Sequence, residues 1–350
     1  MKAVVDSNEK EYVTAKEKEY KVAHSDQFKH ILKNYKSLFA RLRAEVGKIV
    51  VGQQQIINSL VEALLCDGHV LVEGIPGIAK TLIIRTLSKV SGSKFSRIQF
   101  TPDLLPTDIL GITTYEEGKG FYTVKGPVFA NFVLADEINR APPKVQSSLL
   151  ESMQERQVTI GKESFKLPTP FFVMATQNPL ESLGTYKLPE AQIDRFLFKL
   201  MITYPTQEDE VFILHKNMTL RRFQEYDLKP VMSSDIIIQA QQDVKKTYMD
   251  PKIENYIVRV VNATRKPKEY GVDLGKFIDY GASPRSSIAL YIASKAHAFL
   301  QGKNYVTPMD VKDVAPAVLR HRIILNYEGQ AEEISQEEIV KEILKKVPIV

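Results

Sequence analysis

The sequence has few of the features that mark secreted or membrane proteins. Cys66 is its single cysteine, so an intramolecular disulfide is excluded. The N-terminus lacks the apolar segment of a signal peptide, and charged residues interrupt every long hydrophobic stretch. We therefore expect a cytoplasmic protein without membrane insertion.

Neither a metal-binding pattern nor a strong excess of one charge is present. The six histidines do not cluster, and the chain contains no His-Glu-x-x-His or Cys-x-x-Cys spacing. The net charge of +5 arises from lysines and arginines that are interleaved with acidic residues, which is too little to indicate a nucleic-acid-binding protein. No nucleic-acid partner is therefore expected.

The hydrophobic pattern predicts an α/β domain followed by a helical domain. Residues 1–26 are dense in lysine and glutamate, which predicts a charged tail that is either a frayed helix or disordered. Over residues 27–205 short apolar runs alternate with helical periodicity, as is typical of a doubly wound parallel sheet. Over residues 206–350 the strand pattern disappears, so this domain is predicted to be all-helical. The predicted strands of the sheet are His69–Glu73, Phe95–Phe100, Asn131–Ala135 and Phe171–Ala175.

A glycine-rich loop, Gly74-Ile75-Pro76-Gly77-Ile78-Ala79-Lys80-Thr81, joins the first of these strands to a helix. The backbone N–H groups of such a loop and of the helix N-terminus form a cradle for phosphates. Lys80 is expected to reach the β- and γ-phosphates of a nucleotide, and the Thr81 hydroxyl to ligate Mg²⁺. Ala79 occupies a position that is usually glycine, but its methyl group is small enough that we expect the loop to survive.

Polar residues end two further strands. Asp136 and Glu137 close the strand that starts at Asn131, and Asn178 follows the next one. Transfer of a phosphoryl group to water needs a carboxylate near Mg²⁺ and a second group that activates the water. Asp136 is the candidate for the first role and Glu137 for the second. Asn178 is the candidate to hold the attacking water.

Two arginines are candidates to stabilise the transferring phosphoryl group. Arg195 lies in an Asp-Arg-Phe sequence, and Arg285 follows Ser283-Pro284 at the start of a predicted helix in the second domain. A guanidinium against the phosphoryl group, often supplied by a neighbouring subunit, accelerates hydrolysis. Taken alone, an arginine at a helix end is more often a capping or ion-pairing residue.

The order of these motifs resembles that of the AAA+ ATPases, and their detail resembles the MoxR family. The stretch LADEINRAPPKVQ, from Leu134 to Gln146, is close to the MoxR signature. The resemblance runs from about Val51 to about Ile324. In this comparison Gly74–Thr81 is similar to the Walker A motif, Val133–Glu137 to Walker B, Asn178 to sensor 1, Arg195 to the arginine finger and Arg285 to sensor 2.

The resemblance implies a fold, a cofactor and partners. The sheet order would be 5-1-4-3-2, and ATP with Mg²⁺ would bind at the strand ends, beside a helical lid. Subunits would form a ring, expected to be a hexamer, that remodels, matures or activates a protein client, with von Willebrand factor A domain proteins as the usual partners. We also expect nucleotide contacts from Val51, Gly52, Gln53 and Leu82.

Two glycine-containing hairpins are predicted at 112–125 and 158–167. They resemble inserts that project toward the ring pore in the branch of AAA+ proteins formed by the MoxR family, the chelatases and the replicative helicases. Three other functions remain open. One is an ATPase subunit of a metal chelatase, which the stretch from Asn139 to Gln146 disfavours. The others are a nucleic-acid motor of the same branch and a nucleotide-gated interaction protein with negligible turnover.

Overall fold

A computed structural model describes residues 2–74, 79–118, 120–178, 184–217 and 223–349. The chain divides into two compact units, one of residues 41–238 and one of residues 1–40 together with 239–350. Among the described residues, no helix combines the length and the apolar character that crossing a bilayer requires.

The unit of residues 41–238 is built on a five-stranded parallel sheet. Its strands are β1 (Val70–Glu73), β2 (Phe95–Gln99), β5 (Phe132–Asp136), β8 (Phe172–Gln177) and β9 (Phe198–Met201). The spatial order is β9-β1-β8-β5-β2. Numbered by position along the chain, these five strands run 5-1-4-3-2, so the predicted order is confirmed.

Burial explains which strands occupy the centre of this sheet. The residues of β1, β5 and β8 are buried on both faces except at their last positions, as their near-continuous apolar sequences require. Strand β2 lies at the edge, where Arg97 and Gln99 are exposed between more buried neighbours. The sheet therefore presents a charged edge strand beside the acidic end of β5.

Helices and two hairpins surround the sheet. Both hairpins form where they were predicted, β3–β4 with Tyr115 opposite Phe121 and β6–β7 with Thr159 opposite Ser164. Their strands are β3 (Gly111–Glu116), β4 (Gly120–Lys125), β6 (Gln157–Ile160) and β7 (Glu163–Lys166). The helices are α3 (Gln54–Leu65), α4 (Lys80–Val90), α5 (Pro106–Leu110), α6 (Pro143–Glu155), α7 (Glu190–Ile193) and α8 (Gln207–Asn217), with short 3-10 turns at Ile138–Arg140 and Phe223–Glu225.

The second unit is mainly helical, but the prediction of an all-helical domain was wrong in one detail. Ile278–Tyr280 (β10) pairs antiparallel with Ile324–Leu325 (β11). Strands of two or three residues are too short to show an alternating pattern in the sequence. Its helices are α1 (Lys2–Ala23), α10 (Pro251–Arg265), α11 (Pro284–Leu300), α12 (Pro308–Leu319), α13 (Tyr327–Ala331) and α14 (Gln336–Lys346), with 3-10 turns at Pro267–Tyr270 and Asp273–Phe277.

The division into units falls inside α2 (Asp26–Val46) and α9 (Ser234–Lys245). It also groups the N-terminal helix α1 with the helical unit. The compact units divide after residues 40 and 238, whereas the predicted domain boundaries fall after residues 26 and 205. The predicted boundaries stay a prediction about functional domains.

A buried histidine ties three elements of the α/β unit together. His69, just before β1, accepts a hydrogen bond from the Val173 N–H at 3.1 Å through Nδ1. Its Nε2 lies 3.2 Å from the Met153 carbonyl oxygen, and in the neutral ring the Nε2–H donates to that oxygen. Burial, followed by the positive charge of Arg156, lowers the pKa of His69 from 6.5 to about 3.

This histidine should make the stability of the fold depend on pH. The unfolded chain binds a proton at His69 near pH 6.5 and the folded chain does not, so its contribution is complete above that pH and is lost as the pH falls toward 3. We expect a loss of ~2 kcal/mol in unfolding free energy between pH 7 and pH 5 from this residue. Urea unfolding at both pH values should show this loss in the unaltered protein and in His215→Gln, an exposed control. An equal loss in His69→Gln would contradict the assignment.

Candidate functional site

The described part of the glycine-rich loop lies between β1 and α4. Gly74 is buried directly after β1, and Lys80 is the first residue of α4. Lys80 Nζ donates to the Gly74 carbonyl oxygen at 2.5 Å, which brings the lysine back over the strand end. Ala79 has a left-handed backbone with φ of 60°, a conformation that costs a non-glycine residue about 1–2 kcal/mol. The predicted phosphate contacts of Ile75, Pro76, Gly77 and Ile78 lie outside the described residues.

The acidic pair lies at the same edge of the sheet, two strands from β1. Thr176, fully buried on β8, donates its hydroxyl hydrogen to Asp136 Oδ1 at 2.7 Å. The same hydroxyl oxygen accepts the backbone N–H of Glu137 at 2.9 Å. Glu137 itself has a left-handed backbone (φ 56°, ψ 50°) and caps the 3-10 turn that follows. One threonine therefore orients both carboxylate residues.

Two residues of the edge strand β2 complete this arrangement, and sequence reasoning missed both. Arg97 Nη2 lies 2.7 Å from Asp136 Oδ2. Gln99 donates from Nε2 to Glu137 Oε2 at 2.8 Å and accepts from Arg97 at 2.6 Å through Oε1. Arg140 Nε lies 3.1 Å from the same Glu137 oxygen. Both carboxylates are thus held by cations or amide donors from their neighbours.

Asn178 lies where β8 emerges between β1 and β5. Its residue is 6 % exposed, and the preceding Gln177 pairs with Glu73 at the end of β1. Because parallel strands end at a common edge, Asn178 is placed between the start of the glycine-rich loop and the acidic pair. The structure therefore brings together Gly74, Lys80, Asp136, Glu137 and Asn178. Thr81 and Leu82, the next residues of α4, are both partly buried.

The Val51-Gly52-Gln53 segment lies against the end of β9. Gly52 and Gln53 have left-handed backbones with φ of 65° and 54°. The Gln53 side chain donates to the Thr203 carbonyl oxygen at 3.0 Å. The positive φ favours glycine at position 52, and a Cβ there would stand 2.7 Å from Asp209 Oδ2, so the Asp209 side chain would have to move.

The structure does not place Arg195, the first of the two candidate arginines, with this group. Arg195 is exposed and precedes β9, which pairs with the start of β1 through Phe198 and Val70. The Leu197 N–H donates to the His69 carbonyl oxygen at 2.8 Å, which fixes Arg195 near the amino edge of the sheet. Arg285 is the second residue of α11 in the other unit.

Comparison with known proteins agrees with this geometry. Residues 69–198 match the family model described as "ATPase family associated with various cellular activities (AAA)", and residues 275–343 match the "AAA lid domain". The chain is 48 % identical to Chaperone MoxR1 of Mycobacterium tuberculosis, covering 87 % of this chain and 80 % of that protein. It is 30 % identical to Protein MoxR of Methylorubrum extorquens, with 91 % and 97 % covered. A crystal structure from Cytophaga hutchinsonii superposes with a TM-score of 0.86 at 47 % identity, covering 91 % of this chain and 97 % of that one.

Proposed function

Because this chain belongs to the MoxR family of AAA+ ATPases, we propose that it hydrolyses ATP and uses the energy to remodel, mature or activate a partner protein complex. The observation that carries the hydrolytic role is the Asp136–Glu137 pair, which Thr176 orients at the sheet edge where α4 begins. A phosphate-binding helix terminus and two directed carboxylates at one edge are the parts that phosphoryl transfer to water requires.

The residues at this edge fit a nucleotide with its magnesium ion. A hydroxyl and a carboxylate are the hard oxygen ligands that Mg²⁺ prefers, and Thr81 and Asp136 would hold the ion. Magnesium supplies charge neutralisation on the phosphates when bound. Lys80 binds the β- and γ-phosphates, and the Val51-Gly52-Gln53 segment and Leu82 contact the rest of the nucleotide.

Water activation falls to Glu137 and Asn178 in this proposal. Glu137 takes the proton from the attacking water, and the Asn178 amide orients that water. The contacts of Gln99 and Arg140 to the Glu137 oxygen support this role, because they fix a carboxylate whose direction must be maintained. Asp136 accepts hydrogen bonds from Thr176 through Oδ1 and from Arg97 through Oδ2.

The position of Arg195 supports a ring. Arg195 lies at the amino edge of the sheet, and Gly74 lies at the carboxyl edge after the four residues of β1, roughly 13 Å farther along at 3.3 Å per residue. An arginine so placed is poorly situated for its own phosphates and well situated for those of a neighbour. We propose a hexameric ring in which Arg195 acts on the adjacent subunit and Arg285 acts from the helical unit.

The hairpin β3–β4 is the proposed contact with the client. Its residues Phe121 and Tyr115 are 80 % and 62 % exposed, and their rings meet edge to face at 5.2 Å. Exposed aromatic side chains on a projecting ribbon are typical of protein contact surfaces. Lys119, at the turn, lies outside the described residues. We propose a cytoplasmic client complex, with a von Willebrand factor A domain protein as the partner class.

The two halves of the site should separate in mutants. Lys80→Ala removes the cation that binds phosphates and should abolish nucleotide binding. Glu137→Gln keeps the shape of the site but removes the base, so ATP should bind while hydrolysis falls by about 10²-fold or more. Binding of a fluorescent ATP analogue and phosphate release would be measured on both variants. Equal loss of binding in the two variants would contradict the role given to Glu137.

Mixed rings test whether Arg195 acts on a neighbour. Arg195→Ala alone should bind ATP but lose about 10³-fold in hydrolysis, and Lys80→Ala should also be inactive. Co-expressed rings that contain both variants create interfaces with an intact loop and an intact arginine. If subunits mix at random, about a quarter of the unaltered activity should return.

The matched control pairs Arg195→Ala with the double variant Lys80→Ala, Arg195→Ala, which offers no intact arginine. Two affinity tags, one on each variant, select rings that contain both. Phosphate release that stays at the level of the parents in such rings would exclude action in trans. Arg140, which contacts Glu137, would then become the candidate arginine.

Capture of clients tests the hairpin. Phe121→Ala in the Glu137→Gln background should bind ATP normally but retain several-fold less client, since the aromatic contact surface is reduced. Tyr327→Ala, at a residue 92 % exposed in the helical unit, is the control for loss of an exposed ring. ATP-dependent capture would be quantified by mass spectrometry. Loss of ATP binding in Phe121→Ala would instead place the hairpin in the nucleotide site.

A further inference from the structure

The glutamine of the signature stretch occupies a buried junction that the nucleotide chemistry leaves unexplained. Gln146 lies in the first turn of α6 and is fully buried. Its Nε2 atom lies 3.2 Å from the Ile138 carbonyl oxygen and 3.0 Å from that of Ala141. It also lies 3.1 Å from the Tyr186 carbonyl oxygen, forty positions away in the chain. Three carbonyl groups from two segments therefore converge on one amide.

The orientation of this amide follows from its surroundings. With three carbonyl oxygens on one side, only the NH₂ group can face them, because a carbonyl oxygen there would be repelled. Among the described residues, Gln146 Oε1 is buried without a hydrogen-bond partner. A buried unsatisfied acceptor costs about 1–3 kcal/mol, so an apolar residue would be less costly at this position if packing were its sole purpose. The NH₂ group is therefore the part of Gln146 that the site uses.

The two segments joined by Gln146 lead to two residues that act in the proposed hydrolysis, Glu137 and Arg195. Ile138 directly follows Glu137, and the 3-10 turn to Arg140 sets the exit of the chain from the acidic pair. The Tyr186 N–H donates to the Asn139 carbonyl oxygen at 2.7 Å, so residue 186 is held through both of its backbone groups. From Tyr186 the chain passes through α7, where Gln192 Nε2 lies 3.3 Å from Ser147 Oγ, and reaches Arg195.

We propose that Gln146 is a positioning residue that holds the turn after Glu137 and the segment leading to Arg195 in one fixed relation. This inference rests on the proposed function, in which Glu137 serves the subunit's own nucleotide and Arg195 serves the neighbour's. A shift of the acidic turn would then be passed to the arginine through the Tyr186 backbone. The contacts of the Gln146 NH₂ group are with backbone carbonyl oxygens, so its effect is on placement.

The test replaces the amide while keeping the volume. Gln146→Met removes the NH₂ group, and Gln154→Met makes the same change at an exposed position of the same helix. Hydrogen exchange should become about tenfold faster in Gln146→Met within both 138–142 and 184–196, and stay unchanged in Gln154→Met. ATP binding and KM should stay within about twofold while kcat falls about tenfold or more.

Several results would overturn the inference. Faster exchange in one segment alone, or in both with kcat unchanged, would show that Gln146 does not link the two for hydrolysis. If Gln146→Met does not fold, exchange in the unaltered protein decides. Binding of a non-hydrolysable ATP analogue should change protection in both segments, and a change in one segment alone or in neither would overturn the inference. Absence of turnover in the unaltered protein would refute the proposed function, and with it the catalytic part of this inference, while exchange would still report on the junction itself.

Discussion

The site depends on a single buried hydroxyl group. Thr176 Oγ1 donates to Asp136 and accepts from the Glu137 N–H, so one atom fixes the side chain of the first carboxylate and the backbone of the second. Both bonds cross between β8 and β5, which are paired in register up to Ala135 and Ala175. Because the hydroxyl is fully buried, loss of either partner would leave a polar group unsatisfied in the core. The geometry of the acidic pair is therefore tied to the stability of the sheet.

Strained backbone also borders the site. Glu137 and Ala79, both non-glycine residues with left-handed φ, begin the segments on either side of the site. Such conformations cost about 1–3 kcal/mol and persist where surrounding contacts determine them. For Glu137 those contacts are the Thr176 bond before the turn and the Gln146 amide after it. In this conformation the Glu137 side chain contacts Gln99 and Arg140.

The sequence predicted the parts of the site that are contiguous in the chain. The glycine-rich loop, the acidic strand end and the polar strand end each show within a few residues, and the sheet order followed from the family they resemble. The roles of Arg97 and Gln99 were not predicted, because their partners are set by the register of β2 against β5, where Gln99 lies opposite Asp136. A strand with alternating polar residues predicts only an exposed face, not what that face contacts.

The ion pairs of the N-terminal segment were not predicted, for a related reason. Its lysines and glutamates predict a solvated tail, but in α1 Lys16 pairs with Glu254 and Glu19 pairs with the buried Lys295. Partners more than two hundred residues away cannot be inferred from local charge density. Charge composition alone therefore underestimates how much of such a segment is fixed by ion pairs.

The strand order itself bears on how the proposed ring would work. In a parallel sheet every strand ends at the same edge, so residues that follow β1, β5 and β8 gather there, while residues that precede a strand gather at the other edge. Glu137 and Asn178 follow their strands, whereas Arg195 precedes β9. One subunit thus presents the residues that we propose bind phosphates on one edge and a guanidinium on the opposite one, which is the polarity that the proposed head-to-tail ring would require. The link that we propose through Gln146 and the Tyr186 segment would connect these two edges inside the subunit, and so would couple one site of the proposed ring to the next.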